Sequence, residues 1–226
     1  MKAVILAGGL GTRLRPLTLE IPKALIPVRG KSLTERVIEK LNEINIDKVY
    51  LSIGYMSEKI IEYFKDKDVE FLVESEPLGT GGWMHLIPKI NEDFIVVNGD
   101  NLFEVNWDEM IKKHKENNAL ITIALTEVED VSAYGAVELN GDKIKRFVEK
   151  PKKGEEPSNL INSGYYIFSS KVFDKIPKEK KFMLEKDLFP LIAKEGKLIG
   201  YKDKGQWFDT GTFERWDEVI KKWRVK

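Results

Sequence analysis

The sequence contains no cysteine in its 226 residues. That excludes disulfides, thiolate metal sites and cysteine nucleophiles. It has only two histidines, His85 and His114; both fall in predicted helices and are assigned no catalytic role. No apolar run approaches about 18 residues, so no membrane-spanning helix is expected. The N-terminus runs straight into a strand pattern, so no signal peptide is expected either. There is no excess of charge of either sign: 37 Lys and Arg balance 37 Asp and Glu. Nothing global recruits nucleic acid or an anionic membrane, and any cationic site must be local. These absences lead to the expectation of a cytoplasmic protein with neither nucleic acid nor membrane as partner. The length suffices for one large domain with a sizeable core.

What is present is concentrated first in MKAVILAGGLGTRLRPLTLEIPKALIP, Met1 to Pro27. Lys2 to Ala7 is a short, mostly apolar run that reads as a strand buried on both faces, as in a parallel sheet. Gly8, Gly9 and Gly11 follow, then Thr12, Arg13 and Arg15, and Lys23 after Pro22. A glycine turn after a buried strand lets backbone N–H groups approach an anion. Arginines beside it add forked donors suited to phosphate. The loop is therefore expected to hold a nucleoside triphosphate. It is not a P-loop, because Gly30-Lys31-Ser32 has Leu25 where that pattern needs glycine. It is not the dinucleotide fingerprint, because Leu14 stands at the third glycine position. A lone Gly-Gly-x-Gly also reads as a plain tight turn with surface arginines; the spacing of Arg13, Arg15, Pro16, Pro22 and Lys23 favours phosphate.

Strand and helix patterns alternate through the first half. A helix is predicted over Lys31 to Asn45, with Leu33, Val37, Ile38, Leu41 and Ile44 on one face and Ser32 or Thr34 as cap. Strands follow at Lys48 to Ile53, Val69 to Val73 and Phe94 to Val97, with a helix at Ser57 to Phe64 and a glycine turn at Pro77 to Gly82 leading into a short helix ending near Pro88. A helix over Trp107 to His114 precedes a strand at Ala119 to Leu125. Strands at Tyr134 to Leu139 and Lys143 to Val148 flank Asn140-Gly141, a hairpin signal. Lys152 to Pro157 is a charged loop, Asn162 to Phe168 a strand, and Leu184 to Lys194 and Thr212 to Trp223 are closing helices. The pattern implies an α/β layered domain with a mostly parallel sheet and an antiparallel elaboration that could cover a second substrate. We expect a single domain over 1–226, with a nucleotide-binding half to about residue 125 and the other half from about 126.

AGGLGTRLRPLT…PKALIPV resembles the signature of sugar-1-phosphate nucleotidylyltransferases, and similar stretches recur along nearly the whole chain. The resemblance implies a three-layer, Rossmann-like fold of the GT-A type. Many such proteins carry a C-terminal β-helix, which is not expected within these residues. It also implies transfer of a nucleotidyl group from a nucleoside triphosphate to a sugar 1-phosphate, with Mg²⁺ as cofactor, and a homodimer as the family expectation. Leu6, Ala7, Gly8, Gly9, Gly11, Thr12, Arg13 and Lys23 would hold the nucleotide, with Glu74, Pro77, Gly79 and Thr80 around the base. Arg13 and Lys23 would act catalytically on the phosphates, with Arg15 a weaker candidate. Asp100 and Asp209 would share the metal. Asn98, Gly135, Glu149, Lys150 and Asn162 would take the sugar phosphate.

Read from the residues alone, several of these stay open. Asp100 in Asn-Gly-Asp-Asn is equally a turn-former. Asp209 in Trp-Phe-Asp-Thr-Gly could serve the start of the following helix. Glu149-Lys150 could be a solvated charge pair, and Gly135 a strand bulge. A dehydrogenase reading is weakened by Leu14. A regulatory homologue would usually lose part of the set Arg13, Lys23, Asp100, Lys150 and Asp209, all present here.

The implied nucleophile is a phosphate oxygen, already anionic near neutral pH, so no general base is required. Catalysis reduces to positioning and charge stabilisation. Glu74 lies where the resemblance places base recognition. A carboxylate only accepts hydrogen bonds and suits the guanine N1–H and N2–H₂ donors, whereas glutamine would match uracil. The expectation is GTP with a mannose- or heptose-1-phosphate-like partner; thymidylyl and uridylyl transfer are the alternatives.

Overall fold

The structure, a computed structural model, describes residues 1–224. In chain order the elements are β1 (Lys2–Leu6), β2 (Pro27–Val28), β3 (Lys31–Ser32), α1 (Leu33–Leu41), β4 (Lys48–Ile53), α2 (Ser57–Phe64), β5 (Val69–Val73), β6 (Phe94–Asn98), β7 (Asn101–Phe103), α3 (Trp107–Glu116), β8 (Ile121–Glu127), β9 (Gly135–Asn140), β10 (Lys143–Glu149), β11 (Leu160–Phe168), α4 (Phe189–Lys194), β12 (Leu198–Lys202), β13 (Trp207–Asp209) and α5 (Phe213–Lys222). Two compact units are present. One comprises Met1–Pro77, Val96–Glu104 and the stretch from Gln206 onward; the other comprises Leu78–Ile95 and Val105–Gly205.

In the first unit the strands run in the order β5-β4-β1-β6, with β1, β4 and β5 parallel. Ala3, Val4 and Ile5 are fully buried, which is why the run has no polar alternation. α1 starts at a reciprocal capping box: Ser32 Oγ accepts from Glu35 N–H and the Glu35 carboxylate accepts from Ser32 N–H. It ends at Leu41, shorter than the predicted span to Asn45. Leu33, Val37 and Leu41 are buried, as are Arg36 and Lys40, whose charges are met by Val28 and Arg29 carbonyls and by Glu39 and Glu43. β7 and β13 pair antiparallel, with Asp209 opposite Asn101. α5 begins at Thr212, whose hydroxyl accepts from Arg215 N–H.

In the second unit the order is β11-β8-β12-β10-β9. β8 and β12 are parallel, the other neighbours antiparallel, and β9 also meets β11 at Ala136 and Ile161. Trp83, Phe94 and Phe168 form an aromatic core with ring centroids 5.7–6.3 Å apart.

The fold is the α/β one expected, with local corrections. The short helix after the Pro77–Gly82 turn is a single 3₁₀ turn, Gly82–His85, so His85 is not in an α-helix. The predicted helix over Leu184 to Lys194 is a wide π-type turn at Leu184–Leu188 followed by α4. Pro190 sits in the first turn of α4, where its missing N–H costs nothing. The hairpin β2–β3, turned by Arg29 and Gly30 at positive φ, and the strands β7, β12 and β13 are absent from the sequence reading.

Candidate active site

The opening loop leaves β1 and turns sharply at Gly11, whose φ of 59° is left-handed. A Cβ there would meet Thr18 Cγ2 at 2.8 Å, so glycine is required. The Thr18 hydroxyl in turn donates to Gly11 O at 2.8 Å. Leu14 is fully buried and anchors the 3₁₀ turn Thr12–Leu14. Leu14 therefore has a packing role at the position where a dinucleotide loop would carry glycine. Thr12, Arg13 and Arg15 are exposed.

Asp100 reaches this loop because β6 ends at Asn98-Gly99. The Gly99 N–H donates to Leu6 O at 2.9 Å, and a Cβ on Gly99 would meet that same oxygen at 2.9 Å. The tight approach places Asp100 beside Lys23, whose Nζ donates to Asp100 Oδ2 at 2.7 Å. Burial alone would push the Asp100 carboxyl up. The charge and hydrogen bond of Lys23, with Arg13 further off, outweigh it and hold the group below the usual aspartate range.

Asp209 arrives on β13. Thr210 donates to Asp100 O through both its N–H (3.2 Å) and its hydroxyl (2.9 Å), so the residue after Asp209 is tied to Asp100. Asp209 Oδ1 accepts from Gly211 N–H at 2.6 Å, and Arg215 forms an ion pair with Oδ2. A Cβ on Gly211 would meet Arg13 Nη2 at 2.7 Å and Asp209 Oδ1 at 2.8 Å. Glycine there leaves room for the guanidinium beside the acid. Arg13, Lys23, Asp100 and Asp209 are thus brought together, although Asp100 and Asp209 are far apart in sequence. Arg215 was not singled out from the sequence; its spacing of six from Asp209 carries no motif.

Among the described residues, no group of three or more His, Asp or Glu side chains could hold a metal. Two carboxylates on neighbouring backbone segments nevertheless fit Mg²⁺, which takes one or two protein carboxylates and completes its shell with phosphate oxygens and water.

Glu74 ends the first unit's sheet at β5. Ser52 Oγ donates to Glu74 Oε1 at 3.0 Å, and Ser52 O accepts the Ala7 N–H at 2.8 Å. Gly8 and Gly54 lie against Glu74 with ordinary contact distances, so the carboxylate borders a side-chain-free floor. Gly9 has open space around it, Pro77 is exposed and Asn98 is half-buried.

In the second unit Gly79 has φ 80° and faces the Phe182 carbonyl, where a Cβ would overlap it. The Leu184 N–H donates to Thr80 Oγ1 at 2.9 Å, and that hydroxyl donates to Glu185. Glu185 lies in the wide turn Leu184–Leu188 and carries no motif in the sequence. Burial pushes its carboxyl up, and Glu149 adds to the rise, against the pull of Thr80 and Lys150. Gly135 and Glu149 are opposed on β9 and β10, and a Cβ on Gly135 would meet Glu149 Oε2 at 3.0 Å. Gly135 is paired in register with Glu149 and is not a bulge; the register shift of β9 and β10 lies at Ile144 to Arg146. Lys150 adopts φ 49°, its N–H on Tyr134 O at 2.9 Å and its largely exposed ammonium 3.6 Å from Glu149. Asn162 accepts from Gly164 N–H and donates to the Tyr166 hydroxyl, each at 2.9 Å. Both histidines have structural contacts: His85 Nε2 lies 3.1 Å from Pro177 O, and buried His114 bonds Thr122.

No helix among the described residues is long and apolar enough to cross a membrane. The chain is 41% identical over 224 residues to the bifunctional protein GlmU of Methanococcus maripaludis strain C7, covering 96% of this chain and 52% of that one. It is 39% identical over 223 residues to mannose-1-phosphate guanyltransferase beta-B of Xenopus laevis, covering 93% and 61%. It thus spans only part of the length of these curated relatives. The crystal structure of HddC from Yersinia pseudotuberculosis complexed with GMP-PN matches 99% of both chains with a TM-score of 0.79 and 30% identity. The family model described as nucleotidyl transferase is matched without a break from residue 2 to residue 224, so it is the chain as a whole, and not one motif of it, that belongs to the nucleotidyl transferase family.

Proposed function

We propose that the protein transfers a nucleotidyl group from a nucleoside triphosphate to a sugar 1-phosphate. A phosphate oxygen of the sugar phosphate forms a bond to the α-phosphorus as the bond to the bridging oxygen breaks, releasing pyrophosphate and leaving an NDP-sugar. The observation that carries this reading is the convergence of Arg13, Lys23, Asp100 and Asp209. In this account the backbone of Leu6 to Thr12 receives the phosphates, Arg13 stabilises charge on the departing pyrophosphate, and Lys23 holds the α-phosphate side. Asp100 and Asp209 hold Mg²⁺, which supplies charge neutralisation to the phosphates when bound. Glu149, Lys150, Gly135 and Asn162, with Asn98, take the sugar phosphate; this part rests on the motif resemblance and on the Gly135–Glu149 pairing. We place the reaction in the cytoplasm and expect a homodimer.

GTP is the favoured nucleotide. The Glu74 carboxylate is acceptor-only and borders the glycine floor, and two of the similar proteins carry guanine chemistry in their descriptions. Initial rates with GTP, UTP, dTTP, ATP and CTP, each against a panel of sugar 1-phosphates with pyrophosphate as readout, test the assignment. The expected result is fastest turnover with GTP and a mannose- or heptose-type phosphate. A clear preference for a pyrimidine nucleotide would contradict it.

A further inference from the structure

Asp209 does not wait as a bare acid. Its side chain is only 7% exposed, its Oδ1 is held by the Gly211 N–H, and its Oδ2 is paired with the Arg215 guanidinium. Asp100 is likewise paired, with Lys23. Arg13 lies beside Gly211, where its guanidinium and Asp209 Oδ1 border the same space. Two carboxylates therefore face three cations, and Asp209 also precedes the N-terminus of the ten-residue α5, which adds positive potential. A free divalent cation entering here meets a net positive charge and two carboxylates already paired. A triphosphate brings enough negative charge to reverse the balance and gives Arg13 and Lys23 new partners.

We infer that Arg215 is a counter-ion that a divalent metal must displace from Asp209, so that metal is taken up together with the nucleotide and not alone. The inference rests on the proposed metal role of Asp100 and Asp209. Arg215 is the member of the trio outside the opening loop. Its side chain is 32% exposed on the first turn of α5, so the guanidinium can swing to solvent while Thr212 keeps the helix capped. It is a positioning residue: it sets when the acid becomes available.

Mn²⁺ binding to the full chain, followed by the loss of the free-ion electron paramagnetic resonance signal, tests this without any turnover. Without nucleotide, the Arg215→Gln protein is expected to bind Mn²⁺ more tightly than wild type, on the order of tenfold for one removed neighbouring charge. Arg215→Lys keeps the charge and is expected to stay near wild type. With GTP present the nucleotide itself chelates Mn²⁺, so uptake is read from the water-proton relaxation of protein-bound Mn·GTP, and a smaller difference between Arg215→Gln and wild type is expected there. Equal or weaker Mn²⁺ binding by Arg215→Gln without nucleotide overturns the inference, as does a gain of the same size in Arg215→Lys. Asp209→Asn separates the two levels. If it leaves the affinity for Mn·GTP, read by water-proton relaxation of the protein-bound ion, unchanged, the metal reading itself fails; if it weakens binding while Arg215→Gln has no effect without nucleotide, only the inference fails.

Discussion

Lys23 and Asp100, 77 positions apart, form an ion pair of 2.7 Å at the root of the opening loop. The pair is unequal: Lys23 is 11% exposed and Asp100 is 42% exposed. The lysine is therefore held by the fold, while the acid, closely surrounded by chain, keeps an open edge at which it can change partners. Asp100→Asn keeps the shape and removes the charge. Pyrophosphate release is expected to fall by at least about a hundredfold, the scale of losing one electrostatic contact at a reacting phosphate, with secondary structure retained by circular dichroism. Near-normal rates would remove Asp100 from the metal.

The same pair sets an acid limit. Because the Asp100 carboxyl is lowered in the folded protein, its contribution to stability is complete above the ordinary aspartate value of about 3.9 and is lost as the pH falls through the lowered value. Lys23→Met removes the cation. The melting-temperature gap between this variant and wild type is expected to narrow on acidification below about pH 4. A gap that widens there would contradict the assignment.

Glu185 has the opposite sign. Burial raises its carboxyl, so its stabilising contribution is complete below the ordinary glutamate value of about 4.3 and is lost as the pH rises through the raised value. Glu185→Gln cannot ionise. Its melting temperature relative to wild type is expected to rise from about pH 4 to about pH 8, with calorimetry as the check.

Gly211→Ala would place a methyl group against Arg13 and Asp209. The neighbour that yields is the far end of the Arg13 side chain, so the fold is expected to tolerate it at a cost of about 1–3 kcal/mol. Turnover is expected to fall more steeply than stability, because the displaced group is the one assigned to the leaving pyrophosphate. Urea unfolding and steady-state rates on the same protein separate the two.

Glu74→Gln exchanges an acceptor-only group for one that both donates and accepts. The ratio of GTP to UTP turnover is expected to fall by about tenfold or more, the scale of one mismatched hydrogen bond. An unchanged ratio would show that Glu74 does not read the base.

Much of this was legible because it is local. The buried run Lys2–Leu6 and the glycines after it announce a strand feeding an anion loop, and Ser32 with Glu35 announces α1. The helix Ser57–Phe64 coincides with its predicted span because Ile60 and Phe64 sit one turn apart facing the core. What was not legible depends on long-range pairing. β7 and β13 have three residues each and no periodicity to detect, yet their register is what aligns Asp209 with Asn101 beside Asp100. Arg215 and Glu185 looked like ordinary helix charges, and only the packed fold shows one on Asp209 and the other on Thr80.

The most direct measurement is pyrophosphate release by the full chain with Mg²⁺, GTP and mannose 1-phosphate, run beside Asp100→Asn and Asp209→Asn. Release that requires the sugar phosphate and is lost in both variants is the predicted result; release that persists when both carboxylates are neutralised would contradict the account.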